Sequence, residues 1–187
     1  MKKKIVVTGG TGRFGNHLKS IFTKHKLFFP TKNQFNILNV NSMLKYFKKT
    51  KPDIVIHLAG FSRPMELHEK DINKSINLNI IGTANVTMAC SQKNIKLIYF
   101  STNYVYPGIN GNYNEDDPLK PFNNYAWSKL GGECSVKLYK NSLILRVCMT
   151  EKPFIHKKAF ANVKTSFMYH DEVAKILFKL LNKQGII

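Results

Sequence analysis

Two residues of this 187-residue chain have the types and the spacing that acid–base chemistry requires. Tyr125 and Lys129 stand four positions apart, so on a helix their side chains lie on the same face. An ammonium group beside a phenol favours the phenolate and lowers the tyrosine pKa from its usual value of ~10, which makes the side chain a usable proton donor or acceptor. Ser101 and Thr102 end an apolar run and offer a hydroxyl to orient a substrate oxygen. The alternative interpretation is a surface tyrosine and lysine that meet by chance, because the pattern alone is common.

A glycine-rich turn near the start of the sequence has the spacing of a phosphate-binding loop. Gly9, Gly12 and Gly15 follow a short β-branched run and open a helical segment. In such a loop the first glycine makes the tight turn, the second lets the backbone approach a pyrophosphate, and the third lets helix and strand pack closely. The helix N-terminus then presents unpaired N–H groups to the phosphates. The context of strand, turn and helix favours dinucleotide binding over an ordinary glycine turn.

The segment after the second apolar run bears on which dinucleotide is bound. Many NAD-binding domains place an acidic residue there to hold the ribose 2′-hydroxyl. Residues 27–32 contain no acid, whereas Arg13 and Lys32 are cations that suit a 2′-phosphate. We therefore predict NADP or NAD as the cofactor, with NADP favoured. The alternative is that both cations are solvated surface charges.

The order of the apolar runs predicts the scaffold that positions these residues. Strand-like runs alternate with segments of helical periodicity. The predicted strands are 4–8, 27–29, 53–58, 97–100 and 142–147, and the predicted helices are 14–24, 43–49, 72–91 and 124–139. Such alternation is typical of a parallel sheet covered by helices on both faces. We therefore predict an α/β chain with a Rossmann-like, doubly wound parallel sheet and a reduced C-terminal lobe, with Thr102 at a strand end where ligands bind.

The C-terminal part of the sequence interrupts this alternation. Residues 148–170 are irregular, and their basic run 152–158 suits either a diphosphate or the solvated surface. Apolar positions within 173–181 predict a last amphipathic helix with Asp171 as its N-cap, and 185–187 resemble the start of another strand.

The length of the chain bounds its domain organisation. With 43% hydrophobic residues, the chain can bury the core of one domain but is too short for two of full size. We predict a dinucleotide-binding domain over 1–150 and a short substrate-side lobe over 151–187. A naturally reduced lobe and a chain cut before its natural end both stay open.

Composition argues against several classes of partner. No apolar run approaches the ~18 residues of a membrane-spanning helix, and the apolar residues after the lysines at 2–4 are too few for a signal peptide. Cysteine and histidine spacings predict neither a metal nor a disulfide, which fits a cytoplasmic protein. The net charge of +18 comes from 26 Lys and only 3 Arg, beside 19 Asn, so it resembles a compositional bias. Nucleic-acid readers rely on Arg, and we do not expect nucleic acid as the primary partner.

Four segments together resemble the short-chain dehydrogenase/reductase superfamily, in its extended branch that modifies nucleotide sugars. These segments are 8–15, 57–60, 101–106 and 121–133. Within that branch the chain is most similar to the dTDP-4-dehydrorhamnose reductase family. The resemblance implies a catalytic triad of Thr102, Tyr125 and Lys129. Tyr125 would protonate the substrate carbonyl oxygen as NAD(P)H delivers hydride, Lys129 would hold the nicotinamide ribose, and Thr102 would hydrogen-bond the reacting oxygen.

The same resemblance implies further contacts with cofactor and substrate. It places Asn36 and Ile37 against the adenine and Asn79 near the active site. The other residues expected at the cofactor are Gly9, Gly12, Arg13, Phe14, Gly15, Ala59, Gly60, Phe61, Tyr125 and Lys129. The residues expected on the substrate side are Thr102, Asn103 and Arg146. A strand-end ion pair is the alternative role for Arg146.

Departures from the reductase pattern bear on the function. Asn103 stands where the reductases have Asp, and Asn103 and Tyr104 supply neither acid that the 4,6-dehydratases use, which argues against a dehydratase. Met149 stands about where the reductases have a Trp that holds the sugar. The C-terminal region is also much shorter than the substrate domain of that family.

These residues predict an NAD(P)H-dependent reductase of a 4-keto nucleotide sugar that serves cell-surface polysaccharide synthesis. By resemblance, helices 72–91 and 124–139 would form a homodimer interface. Two alternatives stay open: a nucleotide-sugar epimerase, and a non-catalytic NAD(P)-binding regulatory subunit. The short C-terminus favours the regulatory subunit, and the complete set of Thr102, Tyr125 and Lys129 opposes it.

Overall fold

A sheet of six parallel strands forms the centre of the molecule. The computed structural model describes residues 1–154 and 165–187. The strands of the central sheet are β1 (Lys4–Thr8), β2 (Lys26–Phe28), β3 (Ile54–His57), β4 (Lys96–Thr102), β5 (Ser142–Val147) and the last strand of the chain, β8 (Gly185–Ile186). Between β5 and β8, the short strands β6 (Met149–Thr150) and β7 (Met168–Tyr169) pair with each other. The order across the central sheet is β2-β1-β3-β4-β5-β8, which confirms the predicted Rossmann-like fold.

Helices cover both faces of this sheet. Successive strand residues point to opposite sides, so each face carries apolar side chains that the helices bury. The helices are α1 (Arg13–Ser20), α2 (Val40–Thr50), α3 (Leu67–Lys70), α4 (Ile72–Ser75), α5 (Gly82–Gln92), α6 (Asn124–Lys137) and α7 (His170–Leu180). Ile5 and Val7 pack in a core cluster with residues of α1 and α7. Val6, between them, packs in the opposite cluster with residues of α2, α5 and α6. The two clusters are the two cores of a doubly wound sheet.

The central helix predicted over 72–91 contains a turn of a different kind. A π-helical turn, Ile76–Ile81, connects α4 to α5, and the Gly82 N–H bonds to the Asn77 carbonyl five residues earlier. Such turns are rare and are frequent at functional sites. Asn79 lies within this turn and is buried.

The C-terminal segment completes the same sheet in the part of the chain that the structure describes. Val173 and Leu177 of α7 pack in the core cluster that contains α1, and β8 extends the sheet beyond β5. The described residues of this segment therefore pack in the same core as α1, and the domain boundary at residue 150 stays a prediction. The N-cap of α7 is Tyr169 rather than Asp171, because the Tyr169 N–H donates to the Glu172 carboxylate at 2.9 Å.

Two further predictions concern the basic run at 152–158 and membrane-spanning helices. Residues 155–158 of the predicted basic run lie outside the described residues. In residues 1–154 and 165–187, no helix is both long enough and apolar enough to span a membrane.

Candidate active site

The residues predicted to do chemistry meet at the carboxyl edge of the sheet. β1 has β2 on one side and β3 on the other, so the loops after β1 and β3 diverge and leave a crevice between them. The glycine turn follows β1, residues 59–61 follow β3, and Thr102 ends β4. This is the position at which open α/β sheets bind their ligands.

The glycine turn has the geometry of a phosphate cradle. Gly9 has φ +70°, and a Cβ there would lie 2.7 Å from the Ala59 nitrogen. A Cβ at Gly15 would collide with the carbonyl oxygen of Gly9. The Gly12 N–H donates to that same carbonyl at 2.9 Å, and α1 begins at the next residue. Side chains at Gly9 and Gly15 would collide with the backbone, so glycines keep this turn open. The unpaired N–H groups in the first turn of α1 are therefore available to bind the diphosphate of a dinucleotide.

Other predicted cofactor residues have partners of their own. The Arg13 guanidinium pairs with the Glu151 carboxylate at 2.9 Å, and the Phe14 ring is buried against Phe100 and His170. Phe14 can therefore contact a cofactor through its backbone but not through its side chain.

The two residues expected at the adenine lie in the loop before α2. The Asn36 side-chain oxygen accepts from the Leu38 N–H at 3.0 Å, which leaves the amide nitrogen of Asn36 for a ligand. Ile37 is buried, and its carbonyl accepts from the Asn85 side chain. Asn85 thus ties this loop to α5.

Asn79 joins the loop after β3 to helix α6. Its side-chain oxygen accepts from the Phe61 N–H at 2.7 Å, and its side-chain nitrogen donates to the Phe61 carbonyl at 2.7 Å and the Ser128 hydroxyl at 2.8 Å. The amide of Asn79 is thus committed to protein groups on both sides. Asn79 therefore links two walls of the crevice. Its partner Ser128 is the residue before Lys129.

Tyr125 lies at the centre of the site, in the first turn of α6. The side chain of Asn123 caps this helix by accepting from the Ala126 N–H at 2.8 Å. The Thr102 side chain is near enough to Tyr125 to lower its pKa, so the structure brings together two members of the predicted triad. The rings of His68 and Tyr104 meet the Tyr125 ring edge-on, with centroids 5.2 Å and 6.2 Å away.

The protonation of Tyr125 differs from the expectation for a tyrosine–lysine pair. Burial raises the pKa of Tyr125 to about 12, and Thr102 and the charge of Arg63 oppose that shift only in part. Lys129 is not among the groups that lower this pKa, so the expected lowering of the Tyr125 pKa by Lys129 was wrong. The physical reason is that loss of hydration disfavours the phenolate more than the surrounding dipoles and charges stabilise it. Tyr125 is therefore a protonated phenol near neutral pH.

Lys129 lies deeper on the same helix, with its ammonium 4.1 Å from the centre of the Tyr99 ring. Burial lowers the pKa of Lys129 to about 7, although the carboxylate of Glu133 opposes the shift. The amine is therefore close to the point at which it changes charge at physiological pH.

Several polar groups at this edge have no hydrogen-bond partner within the protein. Among the described residues, the buried atoms of this kind include Ser101 Oγ, Asn103 Oδ1, Thr150 Oγ1 and His68 Nε2. Unsatisfied buried groups are costly, so their concentration beside Thr102 and Tyr125 fits a site that receives a polar ligand. Asn103, predicted on the substrate side, is one of them.

Arg146 takes part in a buried ion pair. Its guanidinium contacts the Glu133 carboxylate at 2.5 Å, with both side chains almost fully buried. The remaining nitrogen donates to the Tyr106 hydroxyl at 2.7 Å and to the Glu115 carbonyl at 2.9 Å. This geometry favours the ion-pair interpretation of Arg146 over a substrate contact, and it anchors the loop after β4.

Sequence reasoning missed two residues of the site. His68 is buried, stacks on Phe61 with ring centroids 4.3 Å apart, and accepts or donates a 2.8 Å hydrogen bond with Ser75. Arg63 affects the pKa of Tyr104, Tyr125 and Cys148 through its charge. Arginine is scarce in this sequence, and that scarcity could have pointed to Arg63. The residues around His68 in the sequence do not distinguish it as a site residue.

Comparisons with known proteins agree with this architecture. The family model described as RmlD substrate binding domain matches residues 2–164. Spore coat polysaccharide biosynthesis protein SpsK of Bacillus subtilis is 32% identical over 147 residues, which are 76% of this chain and 52% of that protein. Methionine adenosyltransferase 2 subunit beta of Pongo abelii is 28% identical over 143 residues, 72% of this chain and 42% of that protein. The chain thus spans about half the length of these curated relatives.

Two solved dTDP-4-dehydrorhamnose reductases share the fold. The Yersinia enterocolitica structure is 27% identical with a TM-score of 0.81, and the alignment covers 99% of this chain and 73% of that one. The Bacillus anthracis structure, in complex with NADP, is 23% identical with a TM-score of 0.85, and the alignment covers 100% of this chain and 74% of that one.

Proposed function

The chain belongs to the RmlD substrate binding domain family, and on that premise we propose that it is an NAD(P)H-dependent reductase of a 4-keto nucleotide sugar. The observation that carries this proposal is the place of Tyr125, which lies with Thr102 at the open edge of the sheet and whose pKa burial raises. A carbonyl reduction needs a proton donor at the carbonyl oxygen, and a tyrosine with a raised pKa holds its proton until charge develops on that oxygen. The relative SpsK is named for polysaccharide biosynthesis, which supports a sugar nucleotide as substrate.

In this proposal the chain's own residues orient and protonate the substrate. The Thr102 hydroxyl and the Tyr125 hydroxyl both bind the carbonyl oxygen, and the Tyr125 proton passes to that oxygen as it becomes an alkoxide. A bound reduced nicotinamide supplies the hydride for the carbonyl carbon. Lys129 binds the nicotinamide ribose through its amine, and the rings of His68 and Tyr104 hold the Tyr125 ring in place.

The cofactor is proposed to bind across the crevice between β1 and β3. The glycine turn and the first amides of α1 receive the diphosphate, and the loop with Asn36 receives the adenine. Arg13 and Lys32 favour NADP over NAD, and binding of a 2′-phosphate would compete with Glu151 for Arg13. Calorimetric titration with NADPH and with NADH tests this preference by measuring the affinity for each. Equal affinities for the two would overturn the preference for NADP.

The decisive experiment compares the unmodified chain with Tyr125→Phe, using dTDP-4-dehydrorhamnose and following NADPH absorbance. Loss of the proton donor should lower kcat at least ~100-fold while NADPH still binds. Tyr46→Phe, on the distant helix α2, is the control and should keep full turnover. Turnover that survives in Tyr125→Phe would remove Tyr125 as the proton donor.

Two other functions predict different outcomes in the same assay. An epimerase would exchange a substrate proton with deuterated solvent without net oxidation of NADPH. A regulatory subunit, which the similarity to methionine adenosyltransferase 2 subunit beta favours, would bind cofactor and turn over no 4-keto sugar nucleotide. The complete set of Thr102, Tyr125 and Lys129 supports the reductase over both.

A homodimer is also proposed. The exposed apolar side chains of the central helix and α6 include Ile72, Ile76, Met88 and Trp127. These are the helices that the family resemblance places at a dimer interface. Light scattering after size-exclusion chromatography tests this, and a mass of 21.5 kDa would contradict it.

A further inference from the structure

Tyr99 contacts Lys129 at both ends of the lysine residue. Tyr99 is fully buried in the central strand β4, and its ring lies 4.1 Å from the Lys129 ammonium. Its hydroxyl donates to the Lys129 carbonyl at 3.1 Å. One side chain therefore faces the charge of Lys129 and also holds the backbone of the helical turn that carries it.

A chain of buried hydrogen bonds starts at Thr8, just before the glycine turn, and runs through His57 to Thr83. The Thr8 oxygen accepts from the N–H groups of Leu58 and Ala59, both at 3.1 Å. These two donors occupy its lone pairs, so the Thr8 hydroxyl must donate to His57 Nδ1, which lies 2.8 Å away. His57 is neutral, because burial lowers its pKa to about 3. Its proton is therefore on Nε2.

The second half of the chain follows from that tautomer. His57 Nε2 donates to the Thr83 hydroxyl at 3.2 Å, and the Thr83 side chain partly opposes the rise that burial causes in the pKa of Tyr99. The Tyr99 proton is directed to the Lys129 carbonyl. The hydrogen bonds from Thr8 to Thr83 therefore join β1, β3 and α5, and the bond from Tyr99 to Lys129 joins β4 and α6.

We propose that Tyr99 is the positioning residue for Lys129: its ring stabilises the ammonium, and its hydroxyl holds the helical turn that carries the lysine. The importance of Lys129 for the reaction rests on the proposed function, whereas its contacts with Tyr99 do not depend on that function.

The surroundings of Lys129 make the contribution of the ring measurable. Glu133 on α6 favours the charged lysine, and burial disfavours it. His57 on β3 is neutral and adds no charge. The face of the Tyr99 ring is therefore, among the groups described around Lys129, the main further source of stabilisation for the ammonium.

The test is a pH titration of Lys129 that needs no substrate. In protein labelled with ¹³C-lysine, the Cε shift of Lys129, assigned with Lys129→Arg, is followed between about pH 5 and pH 10. Tyr99→Leu removes the ring and should lower the pKa of Lys129 by about 0.5–1.5 pH units, the range that a cation–π contact represents. Tyr99→Phe keeps the ring and should leave this pKa within about 0.3 units. If Tyr99→Leu does not fold, Tyr99→Met fills a similar volume without a π face and takes its place.

Turnover tests the hydroxyl separately. Tyr99→Phe should lower kcat about tenfold through displacement of Lys129. Tyr139→Phe is the matched control, since it removes another tyrosine hydroxyl that donates to a backbone carbonyl, that of Ile95 at 3.0 Å, away from the site. It should leave kcat unchanged. An unaltered Lys129 titration in Tyr99→Leu, or equal kcat in the two Phe variants, would overturn the proposal. Absence of turnover in the unmodified chain would overturn the proposed reductase instead, and the titration would still decide the role of Tyr99.

Discussion

At the scale of single residues, burial decides the charge of the side chains that would do the chemistry. Tyr125 keeps its proton near neutral pH, and the pKa of Lys129 falls to about 7, because the charged forms of both are poorly hydrated. A proton donor and an amine of variable charge therefore lie on one helix face. This arrangement suits a reduction, which consumes a proton at the substrate oxygen.

Lys129 should make the stability of the protein depend on pH. Its pKa in the folded state lies below that of an unfolded lysine, so between about pH 7 and pH 10 the unfolded chain binds more protons. Stability therefore rises with pH in that range and is lowest below pH 7. Lys129→Met removes the buried charge, and its Tm should exceed that of the unmodified chain by at least about 3 °C at pH 6. The difference should shrink towards pH 10.

The control for this prediction is Lys137→Met, whose side chain is exposed on the same helix. It tests whether loss of any α6 lysine has the same effect. A Tm difference for Lys129→Met that stays constant from pH 6 to pH 9 would show that its charge carries no penalty in the folded protein.

At the scale of elements, two local arrangements hold the site open and in place. The turn between β1 and α1 needs a positive φ and a close approach to Ala59 at Gly9. The end of β5 is tied to α6 and to the loop after β4 by the buried pair of Arg146 and Glu133. The turn shapes the cofactor crevice, and the ion pair fixes the loop that leads to α6.

Gly9→Ala should abolish NADPH binding and lower stability. The new Cβ would lie 2.7 Å from the Ala59 nitrogen, in a backbone conformation that itself costs about 1–2 kcal/mol for alanine. Gly111→Ala is a matched control, because Gly111 has φ +72° but open space around its Cβ position. Gly111→Ala should lose only the stability that the unfavourable backbone conformation costs, as measured by thermal unfolding, and it should bind NADPH normally. Equal binding by the two variants would disprove the role of the turn.

Glu133→Ala should destabilise the protein by about 3–5 kcal/mol in denaturant unfolding. The substitution leaves the Arg146 guanidinium buried without its counter-charge, which is far more costly than loss of a surface pair. Arg13→Ala, which breaks the exposed pair with Glu151, should cost no more than about 1 kcal/mol. Similar losses in the two variants would contradict the burial argument.

At the scale of the whole molecule, the two ends of the chain share one core. Helix α7 packs with α1 against the sheet, and β8 is hydrogen-bonded to β5. The described part of the C-terminal segment therefore stabilises the dinucleotide-binding fold itself. This places α7 in the same cooperative unit as the glycine turn.

Leu177→Ala should lower the unfolding free energy by about 2–5 kcal/mol, since Leu177 is fully buried and its truncation leaves a cavity. Leu138→Ala, at an exposed position after α6, is the control and should change little. One cooperative transition in calorimetry is expected for both variants. A separate low-temperature transition in Leu177→Ala would show that α7 unfolds independently of the sheet.

The amino-acid sequence alone determined the fold class and supplied most of the residues proposed for the site. Alternating apolar runs predicted the strands and helices, β5 matching its prediction residue for residue at 142–147. Local spacing identified Gly9, Gly12 and Gly15, and the i, i+4 rule identified Tyr125 and Lys129. These signals are readable because strand period, helix period and turn chemistry depend on near neighbours in the chain.

Only the tertiary structure decided which groups carry charge and which partners they have. Four properties of the site depend on residues that are distant in sequence: the raised pKa of Tyr125, the ion pair of Arg146 with Glu133, the place of His68 and the hydrogen bond from Tyr99 to the Lys129 carbonyl. The π-helical turn around Asn79 is of the same kind, because its side-chain partners lie 18 and 49 positions away. Burial and long-range contacts set these properties, and both arise only when the sheet brings its strand ends together.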